Sequence, residues 1–193
     1  MIAYLSGKFS YKSPTVVYVD VNGVGYEVNI SLNTYSQIQN QDSGTLYTYL
    51  QIKEDGHTLY GFSDLAEKAM FVKLIGINGV GAATARMMLS SLKPDDITKA
   101  IVQSNTVLLE SIKGIGKKTA ERIVLELRDK IGKIEVETIN SALIHNTLEQ
   151  DALFALQALG ISRPAAESAL KKVLNGNEKY NLEQLIKKAL QSI

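Results

Sequence analysis

The residues best placed to do chemistry in this sequence are glycines. Gly79-Val80-Gly81 and Gly114-Ile115-Gly116 lie inside a longer repeat at an offset of 35. Leu74 aligns with Leu109, Ile77 with Ile112, Thr84-Ala85 with Thr119-Ala120, and Leu92 with Leu127. Each copy reads as helix, glycine turn, helix, and an internal repeat has to be explained before anything else. Paired glycines allow a tight turn with positive φ and leave no Cβ between backbone and ligand. The N–H groups of the turn and of the next helix's first residues then point outward together. Such a helix N-terminus favours an anion, and phosphate is the usual one. Val80 and Ile115 are expected to plug into the core and hold each loop. Two copies can address both strands across one minor groove, through contacts that position a protein without reading bases.

The candidate backbone-binding residues are therefore Asn78, Gly79, Val80 and Gly81 in the first copy, and Gly114, Ile115 and Gly116 in the second. Lys117, Lys118 and Arg122 add charge after the second copy. The first copy has Ala82-Ala83 there instead, which leaves Lys73 or Arg86 as helpers. A plain helix pair whose glycines only cap helices is the bland alternative, and a lone Gly-x-Gly would not exclude it. Repetition with a basic cluster weighs against it. Gly23-Val24-Gly25 is an internal control: it follows a strand and precedes one, so it is read as a β-turn without a phosphate.

A second feature is acidic. Lys53-Glu54-Asp55-Gly56 falls at the expected tip of a hairpin. Asp-Gly is a favoured turn pair and surface turns are often charged, so the bland reading is strong. The sharper one is that the carboxylates of Glu54 and Asp55 face nucleic acid, repel phosphates, and so disfavour ordinary duplex.

The elements that must carry these residues are legible as three segments. Residues 1–62 have a period of two: Val17, Val19 and Val21, then Tyr26, Val28 and Ile30, then Leu46, Thr48, Leu50 and Ile52. With Asn22-Gly23 and Asp55-Gly56 as turns, this predicts a five-stranded barrel of the oligonucleotide/oligosaccharide-binding type. Residues 63–131 turn helical, with Phe71, Leu74, Ile75, Ala85, Met88, Leu89, Val107, Leu108, Ile112, Ala120, Ile123, Val124 and Leu127 as the apolar face. Residues 132–146 lose the pattern and read as a flexible linker. Residues 147–193 form a three-helix unit. An apolar stripe of Leu153, Leu156 and Leu159, with Phe154, ends at Gly160. Ser162 starts the next helix, and Asn181 with Gln184 makes a capping box for the last. The fold class is α+β multidomain.

Composition excludes several functions. The chain has no cysteine and only His57 and His145, so neither disulfides, thiolate chemistry nor an evident metal site is expected. No apolar run reaches a membrane span, and the N-terminus lacks an export signal, so a cytoplasmic protein without cofactor is expected. Net charge is +1, but residues 63–130 carry +3 and residues 1–62 carry −2. No Gly-x-x-x-x-Gly-Lys-[Ser/Thr] loop is present, so ATP hydrolysis is not expected. A helix-hairpin-helix glycosylase or nuclease is the enzyme alternative. Lys117-Lys118 would have to supply its reactive lysine, yet no suitable aspartate follows, and Asp95-Asp96 after Pro94 suits a helix start. A single-strand binder stacking bases on Tyr18, Tyr26, Tyr47 and Tyr49 is the other alternative.

Taken together, the chain resembles the RuvA family over its full length. The resemblance rests on Met1-Ile2 with Gly7, on residues 21–28 (Val-Asn-Gly-Val-Gly-Tyr-Glu-Val), and on Glu54-Asp55 with residues 59–62. It rests further on residues 78–81 and on 114–122 (Gly-Ile-Gly-Lys-Lys-Thr-Ala-Glu-Arg). It implies a non-catalytic subunit that binds four-way Holliday junctions as a homotetramer, with one ring or two face to face left open. Glu54 and Asp55 would then be an acidic pin near the crossover. The C-terminal unit would recruit the hexameric ATPase RuvB through Leu156, Leu159, Ala166 and Leu170, and the nuclease RuvC would be a further partner. Ala82-Ala83 departs from the family, whose members often have a basic residue there.

Overall fold

The computed structural model describes residues 1–54, 56–140, 147–174 and 180–192. Strands form where β-branched and aromatic residues alternate: β1 Tyr4–Lys12, β2 Val16–Val21, β3 Val24–Ile30, β4 Ser43–Lys53 and β5 Gly56–Phe62. They close a barrel in the order β1-β2-β3-β5-β4, with β3 and β5 parallel and the other neighbours antiparallel. Leu5, Phe9, Val17, Val19, Val28, Ile30 and Leu46 fill its interior. Gly7 pairs with Gly44 where β1 meets β4, and a Cβ on Gly7 would overlap the Asp20 carbonyl oxygen. The Asn22-Gly23 turn has φ of 53° and 87°, and Asp20 accepts the Gly23 N–H at 2.8 Å. This is the β-turn that its context predicts.

One hairpin outruns the barrel. β1 pairs with β4 only as far as Tyr47, and β3 meets β5 only from Leu59 to Gly61. From Gln51 to Lys53, and back through Gly56 to Thr58, the two strands pair with each other alone. At roughly 3.3 Å per residue this two-stranded arm carries the turn about 13 Å past Leu50. Ile52, expected inside by alternation, is 67% exposed, because the period continues where there is no interior to fill. A short helix, α1 (Leu32–Ile38), adds to the elements that the sequence predicts; Ser31 caps it by accepting the Thr34 N–H at 3.0 Å.

The helices that follow are α2 Leu65–Ile75, α3 Ala82–Ser91, α4 Pro94–Val102, α5 Thr106–Glu110 and α6 Lys117–Asn140. Asp64 caps α2 by accepting the Glu67 N–H at 2.7 Å. Phe71, Leu74, Met88, Leu89, Ile97, Ile101, Leu109, Ile123 and Leu127 bury their side chains completely against one another. Phe71 also meets the barrel, its ring 4.9 Å from Phe62, 5.1 Å from Tyr60 and 5.5 Å from Tyr49. Val107, expected on the apolar face, is 76% exposed. α5 is barely more than one turn, and Leu109 takes the inward position. Asp95 and Asp96 sit in the first turn of α4, where carboxylates suit the helix's positive end, but neither forms a side-chain cap.

α6 continues through Asn140, so residues 132–140 of the expected linker are helical. After Gly132 that stretch contains neither glycine nor proline to stop a helix. Residues 141–146, the rest of the expected linker, lie outside the described residues.

The chain divides into two compact units, Met1–Lys133 and Ile134–Ile193. In the second, α7 Thr147–Ala158, α8 Arg163–Leu174 and α9 Leu182–Gln191 enclose Ala152, Leu156, Ala166, Ala169, Leu170, Leu185 and Ala189. Gly160 has φ of 89° after α7, the left-handed stop its position predicts. Asn181 and Gln184 make the reciprocal capping box of α9, with bonds of 2.9 and 3.2 Å.

Candidate nucleic-acid interface

The two glycine turns are the same object built twice. Gly79 and Gly114 both have φ of 93°. The Val80 N–H donates to the Ile77 carbonyl at 3.0 Å, and the Ile115 N–H to the Ile112 carbonyl at 3.1 Å. The first bond of each following helix runs from Ala85 to Gly81 and from Ala120 to Gly116, at 2.9 and 3.0 Å. Val80 and Ile115, 4% and 5% exposed, are the core plugs expected of them.

These bonds also correct one expectation. The N–H groups of Val80 and Ile115 are already taken, so those two residues anchor the loops and do not offer amides to a ligand. Among the described residues, no acceptor meets the N–H groups of Gly79, Gly81, Ala83 and Thr84, or those of Gly114, Gly116, Lys118 and Thr119. All four glycines are exposed, and nothing lies within 4 Å of where a Cβ on any of them would sit. A tetrahedral anion can therefore approach the amides directly, aided by the partial positive charge of the helix start.

Side chains divide unequally between the copies. Lys117 and Lys118 are exposed at the start of α6, whereas Ala82 is buried and Ala83 uncharged. Arg122 is exposed and pairs with Glu126 at 2.8 Å. An exposed i,i+4 pair contributes only about 0.3–0.5 kcal/mol, less than a charge-assisted bond to phosphate, so the guanidinium is parked and remains recruitable. Arg86, a candidate helper of the first copy, instead donates into the barrel, to Asn29 Oδ1 at 2.7 Å and to the Thr15 carbonyl at 3.2 Å. Asn78 is exposed beside Gly79. Its counterpart Lys113, also exposed, joins the candidate residues here; the repeat itself is the signal that places it next to Gly114.

Glu54 is exposed in the turn at the end of the β4–β5 arm; Asp55 lies outside the described residues. The tyrosines that a single-strand binder would use are mostly engaged elsewhere. Tyr49 packs on Phe71, and Tyr26 lies against the barrel core. Tyr18 tilts against Tyr11 at 5.0 Å. The carboxylate of Glu27 raises the pKa of Tyr18, and a negative charge there opposes nucleic acid.

A buried carboxylate that gives no signal in the sequence is Glu67 on α2. Its side chain accepts from the hydroxyls of Ser31 and, at 2.6 Å, Thr34. Burial raises its pKa, against the two hydroxyls that lower it, and nearby Asp64 raises it further.

Comparison with known proteins agrees with this geometry. A model described as RuvA N terminal domain matches residues 1–61, SAM-like Helix-hairpin-helix tandem matches 71–129, and RuvA, C-terminal domain matches 147–193. The protein from Cytophaga hutchinsonii named Holliday junction branch migration complex subunit RuvA is 44% identical, with 99% of each chain covered. Those of the same name from Christiangramia forsetii and Laribacter hongkongensis are 43% and 40% identical, over 100% and 98% of each chain. The chain belongs to the RuvA family.

Within that family frame, the residues expected to meet the motor need correction. Leu156, Ala166 and Leu170 are 0–1% exposed and form the interior of the three-helix unit, so they cannot touch a partner without unfolding it. Leu159, at 61%, does face solvent, as does Phe154 at 63%. An apolar stripe at helical spacing marks the core first.

Proposed function

We propose that this chain is a non-catalytic DNA-binding subunit that grips four-way junctions, holds them open, and recruits an ATPase motor of the RuvB type for branch migration. The observation that carries this is the pair of matching glycine turns, each presenting unpaired amides at a helix start with no side chain in the way. Such contacts grip backbone of any sequence, so selectivity has to come from shape. The acidic arm supplies a shape criterion: the exposed Glu54 carboxylate at its end repels a continuous duplex but fits the gap at a crossover.

The assembly in this reading is a homotetramer, one subunit per junction arm, working in the cytoplasm, with a RuvC-type nuclease as a further partner. No helix among the described residues is long and apolar enough to cross a membrane.

Competition binding among a synthetic four-way junction, matched duplex and matched single strand tests the central statement. Junction should bind tightest and single strand weakest. Preference for single strand overturns the reading, as does strand incision or base release by the protein alone. Mass in solution, with and without junction, tests the tetramer and distinguishes one ring from two.

A further inference from the structure

The two copies of the repeat differ in how they are fastened. α2 and α3, which flank the first glycine turn, are tied to the barrel domain by side-chain hydrogen bonds and aromatic packing. On α2, buried Glu67 accepts from Ser31 and Thr34, and Thr34 in turn accepts the Ser63 N–H at 3.1 Å. One turn along α2, Phe71 packs on Tyr49, Tyr60 and Phe62 at the root of the acidic arm. On α3, Arg86 holds Asn29 and Thr15, and Ser90 accepts the Leu32 N–H at 3.1 Å. Among the described residues, no side-chain hydrogen bond joins α4, α5 or α6 to the barrel. The copy with the ties lacks the cations, and the copy with Lys113, Lys117 and Lys118 lacks the ties.

We propose that the first turn is a register element, and that Glu67 and Arg86 are positioning residues that hold it at a set distance from the acidic arm. The second turn supplies the charge-driven affinity. This rests on the junction-binding reading above and assigns the origin of its selectivity. Repulsion from the arm discriminates only if a phosphate seated on the first turn fixes where the duplex runs. With the ties loosened, a plain duplex tilts away from the carboxylates and escapes the penalty, while the lysines still attract it. Guanidinium and carboxylate suit the task, because hydrogen bonds to charged groups are directional and stronger than neutral ones.

Asn29→Ala and Thr34→Val remove one partner from each tie without touching a residue that faces DNA; Asn29→Asp keeps the oxygen that Arg86 uses. Dissociation constants for a four-way junction and for duplex are measured at one salt concentration, with thermal midpoints as the check on folding. Both tie variants should lower the junction-over-duplex ratio by fivefold or more through tighter duplex binding, with junction affinity within twofold of wild type. Asn29→Asp should restore the ratio, and Lys117→Ala with Lys118→Ala should weaken both substrates together. A ratio unchanged in folded Asn29→Ala overturns the proposal, as does a parallel fall on both substrates. Should Thr34→Val fail to fold, the Asn29→Ala and Asn29→Asp pair decides. Wild type without junction preference would instead sink the function proposed above.

Discussion

Gly114 and Gly116 stand two residues apart and are glycine for different reasons. Gly114 has φ of 93°, a region that other residues enter at a cost; Gly116 does not, and its missing side chain only clears the approach to the amides. Gly114→Ala should therefore lower stability by about 1–2 kcal/mol, seen in the thermal midpoint. Gly116→Ala should leave the midpoint level or slightly raised, yet weaken DNA binding about tenfold or more, because its methyl occupies the phosphate's place. The contrast between melting and binding is the test. Equal effects of the two substitutions on both readouts would contradict it.

The lysines of the second copy act through charge, so their signature is salt dependence. Replacing Lys113, Lys117 or Lys118 with alanine, one at a time, should reduce the slope of log affinity against log salt by about 0.9 for each phosphate no longer neutralised. Binding titrations across a salt series give the slope directly. Lys73→Ala, close to the uncharged first turn, should change it less.

Glu54→Gln with Asp55→Asn should strengthen binding to plain duplex severalfold and narrow the preference for a junction. Neutralising the exposed Glu54 alone removes a repulsion of about 1 kcal/mol or less. Competition between labelled junction and unlabelled duplex reports both changes. No gain in duplex affinity would count against the arm as a selector.

Glu67 makes stability depend on pH with a definite sign. Its folded-state pKa is raised above the usual 4.5, so between those two values the folded protein holds a proton that the unfolded chain releases. This contribution is fully present below 4.5 and is lost as pH rises through the folded value. Wild type should gain thermal stability relative to Glu67→Gln as pH falls from neutrality towards that range. A difference between the two that stays constant with pH would refute the burial effect.

In the C-terminal unit, Leu156→Ala or Leu170→Ala should cost about 2–5 kcal/mol, because each opens a cavity in the small core. Phe154→Ser and Leu159→Ser should leave the unit folded and lower stimulation of the partner ATPase. Removal of residues 147–193 should abolish that stimulation and spare junction binding. Thermal melts and ATPase assays with motor and junction present separate the two classes.

Much of this fold is legible in the sequence because it is local. Val17 with Val19 and Val28 with Ile30 mark one face of a strand by spacing alone, and the glycine turns betray themselves by repetition. The alternation that correctly predicts Leu46 inside also puts Ile52 there, since spacing cannot say where a barrel ends. The stripe through Leu156 reads equally as a contact surface or a core, because both use the same spacing. Glu67 is invisible because its hydroxyl partners lie 36 and 33 residues away, and a glutamate in a first helical turn usually faces water. Arg86 misleads for a similar reason: a cation beside a phosphate-binding turn suggests DNA, yet its acceptor is 57 residues upstream. The engagement of the Val80 and Ile115 amides is hidden too, because a three-residue backbone bond leaves no trace in residue type.

The unaccompanied length of the β4–β5 hairpin makes the reach of the acidic tip a stepped quantity. Adding one facing residue pair turns every side chain beyond it to the opposite face, so orientation at the tip is kept only when two pairs are inserted or removed together. Each such step shifts the carboxylates by about 7 Å. A crossover gap is thus gauged in coarse increments, as by a notched rule.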